Sequence, residues 1–158
     1  MSRSIGPQLR KTWHQLSSKP GGKWLFSRVL GRLAPYTGSI GAQITQLEPG
    51  YCQVKLADRH RVRNHLHSIH AIALCNLGEM STGLALMNSL PVNMRGILKG
   101  ISVDFQKKAR GTLTSECHCA VPTRMERQEQ QVTAEIHNAE GEIVAIVTAL
   151  WLIGPESK

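Results

Sequence analysis

The sequence predicts an α+β domain, one long and nearly uncharged helix covered by a curved antiparallel sheet. Three observations carry that expectation. Between Asn64 and Met94 the only formally charged residue is Glu79, and a helix that is apolar nearly all round must be buried nearly all round. Only this one long helix lies among the strand-like segments, which excludes alternating βαβ units and leaves antiparallel pairing. The chain has 158 residues, the length of one ordinary domain, so cover for the helix must come from strands on both sides of it in sequence. Faces still open fall to a second copy of the chain.

The elements follow in order. Residues 1–20 are expected to be loosely ordered, with a short helix around Gln8–Gln15. The run Ser17-Ser18-Lys19-Pro20-Gly21-Gly22 breaks regular structure. Trp24, Leu25, Val29, Leu30 and Leu33 recur at helical spacing, which predicts an amphipathic helix over Lys23–Leu33. Ile40, Ala42 and Ile44 alternate with polar neighbours, so Ser39–Glu48 reads as a strand. Glu48-Pro49-Gly50 turns it into a second strand, Tyr51–Leu56. A basic loop with Arg59, Arg61 and Arg63 leads to the long helix, expected from Ser68 as N-cap to about Asn88. Three strands are then expected at Gly96–Ala109, Thr112–Pro122 and Gln128–Asn138. The turn Asn138-Ala139-Glu140-Gly141 delivers the last strand, Glu142–Ile153. Residues 1–35 are read as a basic N-terminal segment with a short helix packed on the domain, and 36–158 as the domain itself.

Composition narrows the function. Hydrophobic residues make up 41% and aromatics only 4%, so the chain can build a core, but from aliphatic side chains. A net charge of +8 points to an anionic partner. Nucleic acid is not expected, because few aromatics are available for stacking, the cations are spread out and no helix-turn-helix pattern is present. Ile69–Leu90 is long enough to span a bilayer, but Glu79 near its middle argues for a buried helix instead. Cys52, Cys75, Cys117 and Cys119 form no C-x-x-C pair, and Met1–Trp13 has no apolar stretch of a secretory signal. A reduced, cytoplasmic protein is expected. His65, His67 and His70 have a metal-like spacing, but they pass from extended chain into helix and seldom share a face there, so no metal is expected.

Glu79 stands out on chemical grounds alone. A carboxylate in an apolar helix with no basic neighbour in sequence is poorly solvated, which raises its pKa and suits it to act as a base or nucleophile. The alternative is that an arginine from another strand or subunit pairs with it.

Three segments in this order resemble the hotdog-fold thioesterase superfamily. They are Asn64-His65-Leu66-His67-Ser68-Ile69-His70-Ala71 running into Leu74, Leu77, Gly78 and Glu79; Val103-Asp104-Phe105-Gln106-Lys107-Lys108-Ala109-Arg110-Gly111; and Ala139-Glu140-Gly141-Glu142-Ile143-Val144-Ala145. The likeness spans about Ser39 to Ile153 and lies next to the phenylacetate-type and 4-hydroxybenzoyl-CoA-type enzymes. It implies a hotdog fold, hydrolysis of an acyl-CoA thioester, and a homodimer or dimer of dimers. Coenzyme A enters as part of the substrate and no further cofactor is implied.

The resemblance also implies roles. Glu79 sits where these enzymes carry an acidic residue that activates water or attacks the thioester. Their oxyanion amide comes from a His-Gly-Gly turn, which corresponds here to His70-Ala71-Ile72. An amide near Ala71 remains available, while the bulk of Ile72 narrows the approach. Asn64 is expected either to hold a water or the thioester carbonyl, or to cap a turn. Ser68, Gly78 and Thr82 are candidate substrate contacts, although hydroxyls within a helix also bond back to its backbone, as Thr82 and Ser81 would. Lys107, Lys108 and Arg110 are the candidate partners of the coenzyme A phosphates, together with the loop arginines and with Arg124 and Arg127. The competing reading keeps the fold without catalysis, as an acyl-CoA or lipid-ligand-binding protein.

Overall fold

The computed structural model describes residues 5–123 and 125–155; Arg124 lies outside the described residues. Three helices come first, α1 (Gly6–Leu16), α2 (Gly22–Leu33) and the short α3 (Pro35–Ser39). The hairpin β1 (Gln43–Glu48) and β2 (Tyr51–Leu56) follows, then a single 3₁₀ turn at His60–Val62, and then the long helix α4 (Ala71–Ser89). The chain closes with β3 (Met94–Phe105), β4 (Leu113–His118), β5 (Gln128–His137) and β6 (Ile143–Pro155). All six strands form one antiparallel sheet in the order β1-β2-β4-β5-β6-β3.

Helix α4 lies against this sheet, and Leu77, Ala85 and Leu86 are completely buried. Val54, Leu56, Leu113, Ile136 and Val147 meet it from the strands, also completely buried. Contact is closest at Gly78, where an added Cβ would stand 2.3 Å from Val147 Cγ2 and 2.4 Å from Val147 Cβ. No described helix is long and apolar enough to cross a membrane.

The structure departs from the sequence reading in several places, one of them β4, which ends at His118 and not at Pro122. The N-terminal region is ordered from α1 onward: Leu9 and Trp13 are buried, and the Trp13 ring meets Phe26 edge-on at 5.0 Å. The strand expected from Ser39 starts at Gln43, because Pro35–Ser39 closes a helical turn first. Helix α4 begins at Ala71 with His70 as its cap, not at Ser68. Strand β3 ends at Phe105 and not at Ala109, since the amides of Gln106 and Lys107 both donate to the Val144 carbonyl and the ladder stops there.

Strand β3 is an edge, and no described strand pairs with its outer side. The register of β3 shifts between Leu98 and Gly100, which leaves Lys99 as a bulge. That extra residue puts Leu98 and Ile101 on one face of the strand, which simple alternation would not do. Both turn toward α4, where they help form the candidate site.

Candidate active site

Glu79 lies two turns into α4, beneath the β3 edge of the sheet and facing the N-terminal helices. It borders two adjoining cavities. One, of about 270 Å³, runs along Ile72, Cys75 and Glu79 beneath Leu98 and Ile101 of β3, and Tyr36 and Thr37 of α3 close its other side. The second, about 210 Å³, is formed by Glu79, Gly83 and Met87 against Leu30, Thr37 and Trp151. Burial raises the Glu79 pKa above the ordinary carboxylate value. No hydrogen-bond donor or cation among the described residues offsets that effect. Burial, and to a lesser degree the same carboxylate, raises the Cys75 thiol. The arginine partner that the sequence left open is thus not found within the described chain.

The start of α4 supplies a second functional group. His70 has extended backbone angles, and its Nδ1 accepts the Ile72 amide at 3.1 Å. The Ala73 and Leu74 amides donate to the His70 carbonyl at 2.9 and 3.1 Å. Among the described residues the Ala71 amide has no acceptor. In an α-helix such an amide faces out of the N-terminal end, where the helix dipole favours negative charge.

The remaining candidates are placed elsewhere. Asn64 Oδ1 accepts the Leu66 amide at 2.9 Å and both the amide and hydroxyl of Ser68 at 3.3 Å, so these two residues tie the turn that precedes the helix. Gly78 faces Val147 of the sheet and lines neither cavity. Thr82 is completely buried, and its hydroxyl donates to the Glu79 carbonyl at 3.1 Å, an ordinary bond back to the helix. Ser81 donates to the Gly78 carbonyl and meets Ser115 of the sheet at 2.8 Å.

Of the predicted phosphate-binding cations, Arg63 and Arg110 lie beside the helix start and Lys107 just past the end of β3, whereas Arg59 turns to the Ile40 and Gly41 carbonyls and Arg127 lies beside Arg95 and Gly154. Arg110 approaches the Leu66 carbonyl at 3.4 Å, and the Ile69 amide donates to the Ala109 carbonyl at 2.7 Å, which joins the two loops. Carboxylates already neutralise part of this cluster. Lys107 pairs with Glu142 at 2.6 Å and Arg63 with Asp58 at 2.6 Å.

The sequence did not single out Thr37, Leu98, Ile101 or Trp151 as site residues. Trp151 is almost wholly buried, and its indole N–H has no acceptor among the described residues, although the ring borders the same cavity as Glu79. A buried aromatic donor without a partner is a spacing-free feature, and only the fold reveals it.

Among solved structures the chain resembles a structural-genomics protein at 27% identity, with a TM-score of 0.81 over 96% of this chain and 99% of the other. It also resembles a Pseudomonas aeruginosa protein described as a probable thioesterase, at 21% identity and TM-score 0.75, over 82% and 93% of the two chains. A thioesterase-family protein from Silicibacter pomeroyi matches at 19% identity and TM-score 0.69, over 82% and 96%. No curated protein is matched by the chain. These likenesses establish the hotdog-type α+β fold. Residues 22–153, from the start of α2 into β6, match a family model described as a domain of unknown function, and the chain belongs to that family, DUF4442.

Proposed function

We propose that the protein hydrolyses an acyl-CoA thioester, with Glu79 as the general base. The observation that carries this reading is an unpaired carboxylate held in a partly apolar cavity, with its pKa raised by burial. Such a group is poised to take a proton from water near neutral pH. In the reaction Glu79 removes a proton from water as the water oxygen bonds to the thioester carbon. The carbonyl π electrons move onto oxygen, where an amide at the start of α4 holds the negative charge. When the tetrahedral intermediate collapses, the C–S bond breaks and the thiolate takes the proton from Glu79. The products are the free thiol and the carboxylic acid, which releases its remaining proton to solvent to become the carboxylate. Thioesterase names among the structural likenesses favour the same reaction class.

Geometry adds a condition. Ala71 and Glu79 are eight residues apart on one straight helix, a separation of about 12 Å at 1.5 Å per residue. A single thioester carbonyl cannot contact both groups of one chain. On this reading the amide of one protomer and the carboxylate of another complete the site, with a homodimer as the minimal active unit. The open outer edge of β3 supports this arrangement, with Ile97 and Phe105 about half exposed along it.

A second reading, ligand binding without turnover, is favoured by one feature. The Ile72 side chain borders the cavity and narrows the approach that a glycine would leave open. Purified protein assayed on short, long and aromatic acyl-CoAs decides between the two. Turnover of any member supports hydrolysis, and the aromatic arm tests kinship with the phenylacetate-type and 4-hydroxybenzoyl-type enzymes. Binding of every class with no free thiol released would replace hydrolysis with carriage.

A further inference from the structure

A further cavity, larger than either of the two beside Glu79, lies elsewhere on the chain. It is a groove of about 570 Å³ between α2 and the β1–β2 hairpin, and Arg28, Arg32, Lys55 and Arg59 line it. No carboxylate lines it, and none of these cations has a carboxylate partner among the described residues. The cluster at the helix start differs, because Glu142 and Asp58 compensate two of its cations. Four like charges around one concave surface repel each other, and an anion bound between them relieves that repulsion.

The groove is also built. Arg59 Nη2 donates to the carbonyls of Ile40 and Gly41, both at 2.9 Å, which fixes the guanidinium across one wall. Gly41 makes that approach possible: its φ is +62°, and an added Cβ would stand 2.6 Å from Arg59 Nη2. On the opposite wall the Arg28 guanidinium lies 5.6 Å from the centre of the Trp24 ring. Trp24 itself is 57% exposed. The groove borders Leu30, Thr37 and Met80, which also border the cavity holding Glu79.

The geometry points to a head-group site: the groove binds the phosphate-bearing end of an amphipathic ligand, whose apolar end reaches past Thr37 and Met80 to Glu79. It deepens the thioesterase reading for the second half of that statement and stands alone for the first. Phosphate esters on a soluble nucleotide carrier and on a lipid head group share this chemistry, and the test separates them.

Trp24 provides the signal, since Trp13 and Trp151 are buried. Full-length protein is titrated with coenzyme A, with pantetheine, which has the same thiol arm without phosphates, and with vesicles of phosphatidylglycerol or phosphatidylcholine. Tryptophan fluorescence is the readout, and Trp24→Phe identifies its source. Coenzyme A is expected to bind at least about tenfold tighter than pantetheine, the size of one charge-assisted hydrogen bond. The triple variant R28Q/R32Q/K55Q should lose that advantage, whereas Lys11→Gln on exposed α1 should keep it. Added salt should weaken coenzyme A binding and spare pantetheine. A response to phosphatidylglycerol but not to coenzyme A, lost in the triple variant, assigns the same site to a lipid head group. Equal binding of coenzyme A and pantetheine without a vesicle response, or binding unchanged in the triple variant, overturns the proposal. Binding is read without turnover, so Glu79→Gln separates the two claims: the groove requires coenzyme A binding to persist in that variant whether or not hydrolysis is found.

Discussion

Gly78→Ala is the sharpest test of how α4 sits on the sheet. The new Cβ would lie 2.3 Å from Val147 Cγ2, 2.4 Å from its Cβ and 2.6 Å from its Cγ1. Carbon atoms pack at about 3.5–4.0 Å, so the shortfall is about 0.9 Å or more on all three atoms. Rotating Val147 does not remove it, because its Cβ is among the atoms struck. Helix and strand must separate, and overpacking of this kind costs about 3 kcal/mol at the upper end of its usual range. Alanine recovers about 1 kcal/mol of helix propensity over glycine. The net loss is about 2 kcal/mol, or about 4–8 °C in melting temperature for a chain of this size. Thermal unfolding by circular dichroism reads it. Gly83→Ala, whose Cβ would meet Trp151 at 3.1 Å, should cost less, and pairing Gly78→Ala with Val147→Ala should cost less than the sum of the two. A Gly78→Ala protein that melts at or above wild type would refute the packing argument and reopen a ligand-facing role for this glycine.

Three further outcomes are expected. Glu79→Gln should raise stability at neutral pH: burial raises the folded-state pKa of Glu79, so the folded protein carries a desolvation cost that develops as pH rises past the ordinary carboxylate range and is absent below it. Melting curves of variant and wild type should therefore converge in acid, and a variant less stable at neutral pH would point to a hidden cationic partner. Ser81→Ala should cost about 1–3 kcal/mol in chemical denaturation because the buried Ser115 hydroxyl loses its partner. Ser115→Ala should cost less, since Ser81 keeps its bond to the Gly78 carbonyl, and equal losses would contradict that donor assignment. His70→Ala should lose about 1 kcal/mol with the cap while His70→Asn retains it, and thermal shifts of the same size in both would show that the ring nitrogen caps nothing.

Much of the fold was legible because Glu79 is the only charge across a long apolar stretch and because Glu48-Pro49-Gly50 and the Asn138–Gly141 turn mark their hairpins. The same uniformity hid the site. A helix with no polar stripe offers no period from which to tell the face on the sheet from the face on a cavity, so Gly78 and Thr82 read as substrate contacts, although Gly78 faces away from the cavities and Thr82 bonds back to the helix. The cap of α4 was misplaced because a histidine ring nitrogen does here what Ser68 was expected to do. Helix α1 was expected around Gln8–Gln15, but its firm packing was not legible, because Leu9 and Trp13 are only two anchors in a polar segment. The Trp13 ring packs on Phe26, which lies beyond a run of breakers. Arg28, Arg32, Lys55 and Arg59 are scattered in sequence, and only the packing of α2 on the hairpin gathers them.

The most direct test of the central claim is the pH dependence of kcat/KM for the best acyl-CoA of the panel, measured for wild type and Glu79→Gln with both confirmed folded. Wild-type activity should rise with pH through an ionisation above the ordinary carboxylate value, as burial of Glu79 requires. The variant should lose about a hundredfold or more, the usual contribution of a general base, and with it that ionisation. A variant that turns over at the wild-type rate with the same pH profile would contradict the claim and move the catalytic group away from Glu79.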